Sequence, residues 1–114
     1  MTKLPDQILT RIFLLQRQLI ERLDEAAAVE AMIMELFGET EATIPELDEL
    51  VNIKERLIDP YSRLSALLLR TAQAQPNASS DMLELLYRTI ERAEAAADAS
   101  LANVQEIKRN WNLL

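Results

Sequence analysis

The chain has 114 residues, one glycine, four prolines, no cysteine and no histidine, and carries a formal net charge of -7. Without cysteine there is no disulfide framework or thiolate chemistry, and without histidine the commonest general base and transition-metal ligand are both missing. The acidic balance repels phosphate backbones and anionic membrane faces, which sets aside nucleic acid and membrane as expected partners.

This length suits one domain, read as residues 1–114, with one modest core. Apolar residues make up 49% of the chain, too many for a disordered tail. Ala, Leu, Glu, Arg and Gln dominate, and these are strong helix formers, so the expected class is all-α. Met1 to Ile12 contains one Lys, an early Pro5 and Asp6 and no long apolar run of the kind a signal peptide needs. No run approaches the ~20 apolar residues of a membrane span. The expected location is the cytoplasm.

The first predicted helix runs from about Pro5 to Phe37. Proline suits a first helical turn, where its missing N–H costs nothing. Ile8, Ile12, Leu15, Leu19, Leu23 and Ala26 recur at helical spacing as one apolar edge, with Leu9, Phe13 and Ile20 beside it. Amphipathicity weakens at Ala26 to Val29 and returns at Met32, Ile33, Leu36 and Phe37. Gly38, the single glycine, stands where a C-terminal cap is wanted.

After a short polar link, Thr43-Ile44-Pro45-Glu46 fits a capping box, with the Thr43 hydroxyl and the Glu46 carboxylate closing on each other's amides. Asp48 and Glu49 add negative charge near the positive end of the helix dipole. The second predicted helix carries Leu47, Leu50, Val51, Leu57, Ile58, Tyr61, Leu64 and Leu68. Pro60 interrupts it, and Asp59-Pro60 has the form of a fresh helix start. The apolar stripe keeps helical phase from Leu47 to Leu68, which favours one helix kinked at Pro60 over two helices.

Gln73 to Ser80 forms the second link. Pro76 and Asn77 stop one helix, and Ser79 or Ser80 caps the next. The third helix, Asp81 to about Asn112, has the strongest pattern in the chain. Leu83, Leu86, Ile90, Ala93, Ala97, Ser100, Val104, Ile107, Trp111 and Leu114 follow at alternating steps of three and four, a heptad seam. Its middle is small and its ends are bulky, so another helix approaches most closely near Ala93 to Ser100.

Short links between blocks of about thirty residues force antiparallel neighbours. The expected architecture is an up-down-up antiparallel three-helix bundle, coiled-coil-like, with the second helix kinked or broken at Pro60. A bundle this thin has a high surface-to-volume ratio, so dimerisation or a docked partner helix is expected to complete its core.

No constellation for chemistry stands out. A bundle metal site of the Glu and Glu-x-x-His kind has no histidine to use. The carboxylates Glu39, Glu41, Glu46, Asp48 and Glu49 lack the spacing and glycine of a calcium loop, so no metal or cofactor is expected. The serines have neither a histidine partner nor a nucleophile elbow, and one glycine cannot build a phosphate loop. Lys54 shares a face with Val51, Leu57 and Ile58, where an amine binds an anion, pairs with a carboxylate, or packs its stem and extends its head to water. With Arg11 and Arg63 it would make a cationic set, and the chain length and three-helix reading are similar to the small helical chorismate mutases. The Arg-Glu pair that family carries early in its second helix is absent here.

The stretch ELDELVNIKERLIDPYSRLSALLLR, Glu46 to Arg70, is a Leu-rich helix with an internal Lys54 after a short polar link, and Asn103 and Gln105 sit in a Leu/Ala-rich third helix. In these features, over about two thirds of the chain, the sequence resembles the FlgN-type flagellar export chaperones. That family's chains are longer, and Pro60 departs from its pattern. The resemblance implies binding of a secretion substrate's helix and no catalysis.

The reading from sequence is therefore a non-enzymatic interaction module, an adaptor or chaperone that buries a partner protein's amphipathic helix or associates with its own twin. The expected contact residues are the exposed ends of the third-helix seam: Leu83, Leu86, Val104, Ile107 and Trp111. Two alternatives are an enzyme using inward Arg and Lys on an anionic substrate and an acidic inhibitor of a basic partner.

Overall fold

A computed structural model describes residues 6–74 and 79–114. The described residues form three α-helices, α1 Asp6–Phe37, α2 Ile44–Gln73 and α3 Ser80–Asn110, and all three pairs of helices are in contact. The result is a rod of 57 × 21 × 17 Å. Gln16 early in α1 bonds Ser65 late in α2, and Glu30 late in α1 bonds Lys54 early in α2. That register makes α1 and α2 antiparallel, and α3 returns alongside both in the expected up-down-up order.

One core runs the length of the rod. α1 contributes Ile8, Ile12, Leu15, Leu19, Ala26, Val29 and Ile33; α2 contributes Leu50, Ile53, Leu57 and Leu64; α3 contributes Leu86, Ile90, Ala93, Ala97, Val104 and Ile107. Each fully buried Leu or Ile side chain adds roughly 1.5–3 kcal/mol over leaving it in water. The α1 edge departs from expectation at one step. Leu23 is half-buried on the side toward α2, and Arg22 takes the step between Leu19 and Ala26. Its Nη2 reaches Glu25 at 3.3 Å, while its Nε is buried without a hydrogen-bond partner among the described residues.

α2 is continuous through Pro60. Proline brings no N–H to the ladder, but buried Leu57 and Leu64 on either side hold the helix to the core. Asp59 does not open a new helix; its carboxylate pairs with Arg63 at 3.2 Å.

The helix ends follow local chemistry. Gly38 adopts φ +71° and its N–H bonds Met34 C=O, an αL cap on α1. The expected capping box at α2 does not form: Thr43 is in a helical conformation and makes no side-chain cap bond. Its buried hydroxyl turns back into the link, donating to Gly38 C=O at 2.7 Å and accepting from the Thr40 N–H at 2.7 Å. The physical reason is that Thr43 already belongs to the turn that follows Gly38, so its Oγ1 is claimed before the helix begins. Ser79 caps α3, its side chain accepting from Met82 N–H; Pro76 and Asn77 lie outside the described residues. α3 closes with Asn112 at φ 56°, Asn112 N–H on Arg109 C=O and Leu113 N–H on Lys108 C=O, a Schellman motif.

Candidate functional site

The third-helix seam is spent inside the molecule. Leu86, Val104 and Ile107 are buried against α1 and α2, and Leu83 and Trp111 are half-buried against the same core. The expectation that these five form exposed ends is corrected by this burial, and of the seam's residues only Leu114 stands well out in solvent. Trp111 lies on Phe37 with ring centroids 5.2 Å apart, closing the end of the bundle. Ala93, Ala97 and Ser100 are covered too; a small-residue middle lets α3 come close to its own neighbours. The Ser100 Oγ is buried there with no hydrogen-bond partner among the described residues.

A different face is left uncovered. Beside its core edge, α1 carries a second stripe at steps of four and three: Leu9, Phe13, Gln16, Ile20, Leu23, Ala27, Glu30, Met34 and Phe37. α2 carries the matching stripe Leu47, Val51, Lys54, Ile58, Tyr61, Ser65 and Leu68. The inner members pack between the two helices: Leu9, Leu23, Leu47, Tyr61 and Leu68 lie against the core. The outer members Phe13, Ile20, Met34, Val51 and Ile58 are large, apolar and exposed. Together they line a groove between α1 and α2. From Phe13 to Met34 it is about 32 Å long at ~1.5 Å per residue. Its centre is a small cleft of about 70 Å³ walled by apolar atoms of Leu19, Ile20, Leu23, Leu57, Ile58 and Tyr61.

Two polar links cross the groove floor. Gln16 Nε2 donates to Ser65 Oγ at 2.8 Å, and Lys54 Nζ donates to Glu30 Oε1 at 2.6 Å with about a quarter of each side chain exposed. Lys54 is therefore engaged by a carboxylate of α1. Arg11 is engaged by Glu94 of α3 at 2.7 Å, and this hydrogen-bonded pairing raises the Arg11 pKa. Arg63 pairs with Asp59. Glu30, level with Lys54, is nineteen residues along α1 from Arg11, a separation on the order of 28 Å at helical rise. These three cations do not converge on one anion. Among the described residues no group of three or more acidic side chains is gathered as a metal site; Glu49, from the carboxylate cluster, pairs with Arg56.

The other two grooves are bordered by charged side chains. Between α2 and α3, a cleft of about 200 Å³ among Ile53, Arg56, Ala96, Ala99, Ser100 and Asn103 is flanked at one end by Glu46, Glu49 and Glu106 and at the other by Arg63, Arg70 and Arg92. Between α1 and α3, Glu94 faces Arg11, and Glu91 and Asp98, three and four residues away, share its side of the helix.

Sequence reasoning noted Leu9, Phe13 and Ile20 beside the core edge of α1 but did not join them to Val51 and Ile58. The signal was present as two parallel heptad stripes on one helix, one more than an internal core requires. Fold and groove together define a three-helix bundle with an unpartnered apolar face between α1 and α2. No protein-family model matches the chain, and no curated protein or solved structure matches it. No described helix is long and apolar enough to cross a membrane.

Proposed function

We propose that this protein is a non-enzymatic helical interaction module of the cytoplasm that buries a partner's amphipathic helix in the groove between α1 and α2. The observation that carries this reading is the line of exposed Phe13, Ile20, Met34, Val51 and Ile58 along two adjacent helices. Large exposed apolar side chains grouped along one groove mark interaction sites. A helix laid between α1 and α2 turns the three-helix rod into a four-helix arrangement, with neighbouring axes at the 8–10 Å that side-chain interdigitation sets. The resemblance of Glu46 to Arg70 to FlgN-type chaperones supports the same mode of recognition. Catalysis has less support, because Lys54, Arg11 and Arg63 each hold a separate carboxylate.

The test is a fluorescence-anisotropy titration with a labelled amphipathic helical peptide of about 21 residues, matching the groove length at ~1.5 Å per residue. Saturable binding is expected, lost in the double variant Ile20→Asp/Ile58→Asp and kept in Leu114→Asp, whose side chain lies outside the groove. Absence of binding, or equal binding by all three proteins, overturns the proposal.

A further inference from the structure

The rim of the α1–α2 groove is charged unevenly, and this deepens the reading above and rests on it. Asp24 on α1 is four residues after Ile20, and on α2 Asp48 and Glu55 are three residues before Val51 and Ile58. Helical geometry places all three beside the outer stripe. They are exposed, and none joins an ion pair among the described residues. Arg56, one residue from Glu55, is held by Glu49, and Lys54 is held by Glu30. Toward the opposite end the rim has Arg17, paired with Glu21, and the uncharged Ser62 and Leu69. The register set by Glu30–Lys54 and Gln16–Ser65 puts the three free acids between the groove's middle and the α1–α2 link.

We infer that the occupant of this groove is a basic amphipathic helix of another protein. Its apolar heptad stripe is flanked by Lys or Arg in the half that lies toward the α1–α2 link, and its other half is neutral at the rim. Charge complementarity carries the inference: an apolar trough bordered by carboxylates without partners is matched by an apolar stripe bordered by cations. A second copy of this chain fits less well. It brings a net charge of -7 and the same unpaired acids to the contact, and like charges across an interface select against that pairing.

The experiment compares three labelled peptides with one apolar stripe and with Lys, Gln or Glu at the flanking positions of one half. The Lys peptide is expected to bind about eightfold more tightly than the Gln peptide, the product of three exposed ion pairs at roughly twofold each. The Glu peptide is expected to bind most weakly, and the differences shrink between low and high salt. The variant Asp24→Lys/Glu55→Lys, its fold checked by circular dichroism, is expected to reverse the order of the Lys and Glu peptides. If all three peptides bind the native protein equally, the groove reading survives and the charge inference is overturned. If none binds, the groove reading itself is overturned. A dimer in sedimentation that excludes the peptides, and is broken by Ile20→Asp/Ile58→Asp, makes a second copy the occupant and also overturns the inference.

Discussion

Ile20 of α1 and Ile58 of α2 face each other across one apolar cleft, 49% and 50% exposed, while their chain neighbours Leu19 and Leu57 are buried beneath them. One residue step along each helix separates the core from the groove. A rotation of ~100° carries a side chain from the interior to its edge. Two adjacent stripes on each of α1 and α2 thus serve two different purposes. The inner stripe holds the fold and the outer one is available to a partner.

That separation is expected to be visible in stability. Ile58→Ser, in the groove, is expected to change unfolding free energy by less than about 1 kcal/mol, because the side chain is already half in water. Leu64→Ala, in the core, is expected to cost about 2–5 kcal/mol from lost transfer free energy and the cavity left behind. Urea denaturation of both variants checks the contrast; similar losses at the two sites contradict the two-stripe reading.

The buried Oγ of Ser100 has no hydrogen-bond partner among the described residues. Ser100→Ala removes that polar atom at nearly constant volume. The expected outcome is stabilisation by about 1 kcal/mol, the lower end of the cost of an unsatisfied buried polar group. A fall in the urea midpoint would instead show that the hydroxyl is bonded in solution.

Thr43→Val is expected to destabilise by about 1 kcal/mol, since Thr40 N–H and Gly38 C=O lose the buried hydroxyl that joins them across the partly exposed link. Thr43→Ser keeps that hydroxyl and is expected to recover most of the loss. Thermal melts followed by circular dichroism read both. A Val variant as stable as the native protein would remove the link hydroxyl from the account of how α1 and α2 are joined.

The Lys54–Glu30 pair crosses the groove floor with each side chain mostly covered. A double-mutant cycle with Lys54→Gln and Glu30→Gln is expected to give a coupling of about 1 kcal/mol, at the upper end of the range for exposed pairs. The coupling is expected to fall with added salt. A coupling of zero would show that the 2.6 Å contact adds nothing to stability.

Much of the fold was legible in the sequence for local reasons. Gly38 marks the end of α1 because the αL cap needs φ > 0, and Ser79 marks the start of α3 because an unpaired helix amide needs an acceptor. The unbroken phase of apolar residues from Leu47 to Leu68 carried α2 through Pro60. The Thr43 box was misread because a capping motif in sequence cannot show that the hydroxyl has a nearer carbonyl to bond.

The candidate site was not legible in the same way. Periodicity by itself determined that α3 presents a continuous apolar stripe and that α1 is apolar over more than one edge. It did not determine which stripe is matched within the chain. The tertiary structure decided this: α3 lies along α1 and α2 and covers Leu86, Val104 and Ile107, and the three helices leave Phe13, Ile20 and Ile58 outside. The physical reason is geometric. A heptad pattern fixes the angular position of a side chain on its own helix, whereas burial depends on the axes of the neighbours. Three helices enclose only one common interior.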